Sequence, residues 1–346
     1  MSMPDLSAIL QVALQPACAH GGPLGKGSIR QQPEDFIVDE LASVEFTGEG
    51  EHACLHIRKR GLNTEDIARQ LATLAGVTRR DVSYAGMKDR YALTTQWFSV
   101  YLPGVADPDW QQLNSDAVQV LEVVRNGRKL RRGTLAGNRF QISVREFEVD
   151  AGPLEARLQQ IAGQGVPNYF GSQRFGRGGS NLERALEMFA GRRVKREQRS
   201  LYLSAVRSML FNKVLSQRVG EGNWDQLLDG EVCMRTGSRG FFATDSVDDE
   251  LRQRLQAQAI HPSGPLWGKG ELPSQGQALE LEKAALAGLA DWCVGLEKAG
   301  LKMERRSLRL IPEDLQWEYA DKTLVLRFSL PAGCFATAVL REIVES

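Results

Sequence analysis

The spacing of apolar positions along this chain changes twice. From Glu51 to Lys59 polar and apolar residues alternate, Ala53, Leu55 and Ile57 falling on one side and His52, Cys54 and His56 on the other. A period of two predicts a strand. Phe36-Ile37-Val38 opens a similar stretch, and further strands are expected at Trp97–Leu102, Val118–Val124 and Phe140–Val149. Between them, Asn63-Thr64-Glu65-Asp66 forms a capped helix start with Ile67, Leu71 and Leu74 behind it at helical spacing. From about Asn181 the helical period dominates, including Leu201–Val219 and Gln277–Ala299, with His261-Pro262-Ser263-Gly264-Pro265 as a turn-rich break. After Ser307 strands return: Leu315–Tyr319 and Thr323–Leu330 read as a hairpin around Ala320-Asp321-Lys322, before a closing helix Ala336–Val344.

A two-stranded hairpin is marginal alone in water, so the last strands need partners. The N-terminal strands are the available ones, which makes the first domain discontinuous and the helical middle an insertion. The length of 346 residues agrees with about two domains. The expected class is α+β.

Composition narrows the function classes. Hydrophobic residues make up 42% and charged residues 25%, both ordinary for a chain that buries a core. Glycine (34) and proline (13) are too few for a low-complexity or fibrous chain. The five cysteines, Cys18, Cys54, Cys233, Cys293 and Cys334, are scattered and form no CxxC pair, which excludes a disulfide framework and a zinc cage. Asp5 stands where a signal peptide wants a basic residue, and no apolar run is long enough to span a membrane. A soluble, cytoplasmic protein is expected. Basic and acidic residues balance at 43 each, but they are segregated. Arg125, Arg128, Lys129, Arg131, Arg132, Arg139 and Arg145 crowd one segment, and Arg192, Arg193, Lys195, Arg196 and Arg199 another. Such clusters are either solvated faces or phosphate contacts.

Three segments can carry chemistry. Gly86-Met87-Lys88-Asp89-Arg90-Tyr91 sets a carboxylate between two cations in a glycine-bearing turn: a surface ion-pair loop, or a nucleophile or base aimed at a cleft. Asn168-Tyr169-Phe170-Gly171-Ser172-Gln173-Arg174-Phe175-Gly176 gathers three aromatics and Arg174, suited to unstacked bases or to packing at a domain junction. Gly137-Asn138-Arg139-Phe140 offers an amide that can pair with a uracil edge or cap a turn. His52, Cys54 and His56 are nearly 7 Å apart in succession on a strand face and cannot close around one zinc. No phosphate loop of the GxxxxGK[ST] type is present, so no metal or nucleotide cofactor is expected.

At these residues the sequence resembles the TruD family of tRNA pseudouridine synthases. The match is carried by Pro33-Glu34-Asp35-Phe36-Ile37-Val38-Asp39-Glu40, Gly86 to Gln96, Gly137-Asn138-Arg139-Phe140 and Asn168 to Gly176. It continues through His261–Gly270, Gly333-Cys334-Phe335-Ala336-Thr337 and Leu340-Arg341-Glu342. The pieces stand in family order over nearly the whole chain. The resemblance implies a pseudouridine-synthase catalytic domain with a central mixed sheet, formed by residues 1–163 and 310–346, and an inserted TRUD-specific α/β domain over 164–309. It implies isomerisation of uridine 13 of tRNA to pseudouridine, with Asp89 as the catalytic aspartate. Phe36, Asn138 and Phe335 are then substrate contacts, Phe140 a stacking candidate, and Lys88 a further substrate-side cation. Arg30 stands where the family pattern has lysine, as the expected ion partner of Asp89; a planar fork replaces a point charge. Arg131, Arg132 and Arg174 are expected to bind RNA, and the protein to act as a monomer without an obligate protein partner or membrane. Two rival classes remain at this point: a non-catalytic RNA-binding protein on the same scaffold, and an aspartate-nucleophile hydrolase.

Overall fold

The C-terminal hairpin finds its partners as the pattern requires. In a computed structural model, residues 6–345 are described; Asp5, on which the reading of the amino terminus turns, lies outside them. One unit comprises Gly25–Leu154, Pro312–Gly333 and the residues from Val344 onward. The eight strands of its large sheet are β1 (Phe36–Ala42), β2 (His52–Arg60), β3 (Val82–Tyr84), β4 (Leu93–Tyr101), β5 (Val118–Asn126), β6 (Leu135–Val144), β7 (Glu313–Ala320) and β8 (Thr323–Pro331). They form one sheet in the order β7-β8-β6-β1-β4-β2-β5, with β3 also paired to β4. Only β1 and β4 run parallel; every other pair is antiparallel, so the sheet is mixed. The β7–β8 turn is tight because Asp321 and Lys322 both take positive φ, 49° and 57°.

Register divides the residues between two faces. On one lie Phe36, Val38 and Glu40 of β1, Ala53, Leu55, Ile57 and Lys59 of β2, and Thr94, Gln96, Phe98 and Val100 of β4. Asn138, Phe140 and Ile142 of β6 and Leu326, Phe328 and Leu330 of β8 continue it. The helix Thr64–Leu74 packs Ile67, Ala68 and Leu71 against Ala53, Leu55, Ile57 and Phe98. The opposite face carries Trp97, stacked on His56 at 4.7 Å, with Cys54 and Leu130 buried beside it.

The other unit comprises the described residues up to Leu24, with Glu155–Ile311 and Cys334–Ile343. Its axle is the helix Arg196–Gly220, which buries Tyr202, Val206, Met209, Leu210 and Val214 against Phe175, Leu182 and Trp292. A four-stranded antiparallel sheet runs Phe241–Ala243, Val232–Arg235, Ile260–Leu266, Glu304–Ser307. The expected break at His261–Pro265 is therefore an interior strand. Gly264 is there for room, since a Cβ would come within 2.9 Å of Leu308 and 3.2 Å of Phe211. Gln277–Ala299 is two helices, Gly276–Ala285 and Ala290–Lys298, parted at Gly288 with φ 80°. The closing helix stops at Leu340, and Val344–Glu345 pairs with Gly25–Lys26 instead. The strand expected at Phe140–Val149 starts and ends earlier, at 135 and 144.

Among the described residues no helix is long and apolar enough to cross a membrane.

Candidate active site

The apolar face of the large sheet is interrupted by Glu40, Lys59, Thr94, Gln96 and Asn138, and above this polar belt runs the segment Gly86–Ala92 without regular structure. Its anchors come from below. Gln96 Nε2 donates to Gly86 O at 3.0 Å, and Thr64 Oγ1, bonded to Gln96 Oε1 at 2.8 Å, accepts from Lys88 N at 2.9 Å. Lys88 Nζ reaches down to Glu40 at 2.7 Å in a pair that is buried on both sides. Lys59 Nζ donates to Asp89 O at 2.9 Å and to Leu62 O at 2.7 Å. Lys59 has no exposed surface. Burial pushes its ammonium down to about 8, against the upward pull of the nearby Asp89 carboxylate. A loop pinned at Gly86, Lys88 and Asp89 has little freedom, and the side chain between these anchors is held where the backbone puts it.

That side chain is Asp89, 46% exposed, whose Oδ2 accepts from Arg30 Nη2 at 2.8 Å. Arg30 adopts φ 61°, a left-handed conformation that a non-glycine residue takes at a cost of about 1 kcal/mol or more. Its guanidinium carbon sits 4.1 Å above the Phe36 ring, so the planar group both stacks and pairs. The planar fork in the family's lysine position thus reaches the aspartate. Of the two cations beside Asp89 in sequence, neither takes this role: Lys88 serves Glu40, and Arg90 Nε donates to Gly61 O at 3.3 Å.

Two polar atoms here are buried without a hydrogen-bond partner, Arg30 Nε and Asn138 Oδ1. Such atoms are rare enough to need a reason, and a substrate edge is one. Asn138 pairs in register with Glu40, the residue that holds Lys88. Phe36 meets Phe140 edge-on at 6.2 Å, and Phe140 stacks on Phe328 at 5.5 Å. Phe140 is thereby packed between two rings of the same sheet face and is buried, as Phe36 is. Arg132 lies over Tyr84 and donates to its hydroxyl at 3.3 Å, while Arg131 is exposed in the neighbouring turn. Arg125 and Arg145 are engaged by Asp107 and Asp35, at 3.1 and 2.7 Å.

Phe335 and Arg174 belong to the helical unit and meet each other there. Arg174 stands 5.7 Å from the Phe335 ring centre and 5.6 Å from that of Phe170, and burial lowers its guanidinium below the ordinary range. Arg306 covers Phe170 at 4.2 Å and holds Asn168 Oδ1 at 2.6 Å. Of the three aromatics in this segment, Tyr169 and Phe175 are core and Phe170 is the partly exposed one.

Sequence reading passed over Lys59 and Glu40. The signal was present, because both sit in phase with the apolar residues of their strands, where a charge is anomalous.

Comparison with known proteins supplies the family. The family model described as tRNA pseudouridine synthase D (TruD) matches residues 18–183 and 178–343. The tRNA pseudouridine synthase D of Methylococcus capsulatus is 54% identical over 330 residues, 94% of this chain and 93% of the relative. That of Aeromonas hydrophila is 50% identical over 333 residues, 96% and 94% of the two chains. A crystal structure of a TruD chain from Methanosarcina mazei superposes with a TM-score of 0.75 at 23% identity, covering 100% of this chain and 99% of that one, which speaks for the fold. By family model and by relatives that match it along almost its whole length, this chain belongs to the TruD family of tRNA pseudouridine synthases.

Proposed function

We propose that this chain isomerises a uridine of tRNA to pseudouridine, at nucleotide 13 as the family resemblance implies, with Asp89 as the carboxylate that reacts. The observation that carries the mechanism is a half-exposed aspartate, paired to one arginine, on a loop fastened from beneath by Lys59, Gln96 and Glu40. The reaction breaks the C1′–N1 bond, turns the uracil, and joins C1′ to C5; the C5 proton leaves and N1 gains one. Atoms and electrons balance without an oxidant. Asp89 serves by attack at C1′, by attack at C6, or by taking the C2′ proton, and each needs its negative charge. Arg30 engages Oδ2 and leaves Oδ1 for the substrate. Asn138 Oδ1, unpartnered in the protein, suits the N3–H of uracil, and its amide N–H groups suit a carbonyl of the same edge. The uridine must leave its stack to reach these groups, at a few kcal/mol.

On the same footing the sheet unit is the catalytic body and residues 164–309 the family's insertion. Phe36 and Phe335 contact the nucleotide, Arg131, Arg132 and Arg174 meet phosphates, and the protein works as a cytoplasmic monomer. The deciding measurement is release of tritium from tRNA carrying [5-³H]uridine, which substitution at C5 alone produces. The native chain should release it, and Asp89→Asn, nearly isosteric and uncharged, should bind tRNA and release none. Binding without release by the native chain would leave a non-catalytic RNA-binding protein.

A further inference from the structure

The most exposed large apolar side chains of the described residues flank Asp89. Met87 is 74% exposed and Tyr91 70%, each two positions away on the same loop. Along this segment Met87, Asp89, Arg90 and Tyr91 are exposed, while Lys88 and Ala92 face inward. Outward display is no sign of slack, because the backbone between them is bonded to Thr64 and Lys59 and the residue before Met87 to Gln96. A thioether and a phenol ring are thus held up in solvent on either side of the reacting carboxylate, with the Arg90 guanidinium 5.6 Å from the Tyr91 ring centre. Two such side chains on either side of one carboxylate offer apolar surface that a ligand would remove from water.

We propose that Met87 and Tyr91 receive the two bases that neighbour the target uridine, closing the gap opened in the RNA stack when that uridine swings onto Asp89. The proposal rests on the function proposed above and adds to it which residues hold the RNA strand on either side. The chemistry fits the positions. Extrusion of one nucleotide strips a face from each neighbour, and apolar or aromatic side chains are what fill such a step. A ring face accepts any base, while methionine is unbranched and adapts to an irregular gap. Both residues position the substrate; Asp89 alone reacts.

The test couples protein and RNA. A full-length tRNA carries [5-³H]uridine at the target, with the nucleotide on its 5′ or 3′ side replaced by an abasic one. Single-turnover tritium release gives the half-saturating protein concentration and the maximal rate, and fluorescence anisotropy reads binding separately. With intact tRNA, Tyr91→Ala should raise the half-saturating concentration about 5- to 150-fold, the range that stacking supplies per base, and keep the maximal rate within about threefold. Tyr91→Phe should stay within about twofold of the native chain. One abasic substitution should cost the native chain the same factor and cost Tyr91→Ala nothing more, and Met87→Ala should show this non-additivity with the abasic site on the other side. Additive losses, or no loss on intact tRNA, would overturn the proposal. So would a change in sedimentation of the free protein on Tyr91→Ala with RNA binding untouched, which would assign the patch to self-association. Absence of tritium release by the native chain would refute the proposed activity, and the anisotropy cycle would still decide this inference.

Discussion

Lys59→Met asks whether the Asp89 loop depends on the buried ammonium below it. Methionine keeps the unbranched stem and nearly the volume, so packing is little disturbed. Two effects then oppose. Lost are charged hydrogen bonds to the carbonyls of Leu62 and Asp89, each worth about 1.5–3 kcal/mol. Gained is relief from desolvation, because displacement of the lysine from 10.5 to about 8 amounts to roughly 3 kcal/mol at about 1.4 kcal/mol per pH unit. Global stability near neutral pH should therefore fall by no more than about 3 kcal/mol in urea melts. Activity has no such compensation. A loop displaced by about 1 Å costs on the order of 100-fold, so single-turnover tritium release should fall by that factor. The pH dependence separates the two effects. The folded chain releases this proton near 8 and the unfolded chain near 10.5, so the native protein gains stability as pH rises between them, and below about 8 it bears the full penalty. The variant lacks the group, so its stability relative to native should drop by about 3 kcal/mol between about pH 7 and about pH 11. A rate within threefold of native would refute the anchoring role, and a pH-independent difference would show that the lysine is not desolvated.

Arg30→Met should lower the single-turnover rate about 10- to 150-fold through loss of a charged hydrogen bond, whereas Arg30→Lys, which restores the charge, should stay within about tenfold of native. An Arg30→Met variant within threefold of native would remove Arg30 from the site. Phe140→Ala should destabilise by about 3–5 kcal/mol in denaturant melts, because the ring is core between Phe36 and Phe328; a loss confined to RNA binding would instead place it at the substrate. Replacing Arg131 and Arg132 by glutamine should flatten the slope of log K for tRNA against log salt by up to about one unit each, and an unchanged slope would take both out of the interface.

The legible parts of this fold are those where one period holds. β2 alternates cleanly, and its two faces are the ones the alternation predicts. The hairpin β7–β8 was visible from its turn, and its need for partners from the thinness of two strands. Ile260–Leu266 was hidden because proline, serine and glycine are read as turn chemistry, whereas here glycine answers a tertiary demand, the approach of Phe211 and Leu308. At the site, Asp89 and Asn138 were marked by type and by resemblance. Lys59 was obscured because a lysine at the end of an alternating strand is ordinarily a solvated one. Only register shows that its face is closed over by the loop it supports. Arg30 illustrates the converse: the residue could be named, but not the left-handed backbone that delivers it to Asp89.

The pairing of β8 with β6 has a cost that falls during synthesis. Leu324 lies beside Val144, about 180 positions later in the chain. At ribosomal speeds of about 5–20 residues per second, β6 waits roughly 10–40 s with one edge open after β1 has covered the other. An open edge is a template for foreign strands, and here the fitting strand of any neighbouring copy is an equally good match. Arg139, Gln141 and Ser143 punctuate the waiting strand on one face with groups that resist flat stacking. Crowded translation should therefore favour exchange of the 313–331 hairpin between nascent copies, giving swapped dimers that carry native pairing throughout and betray themselves only by their mass.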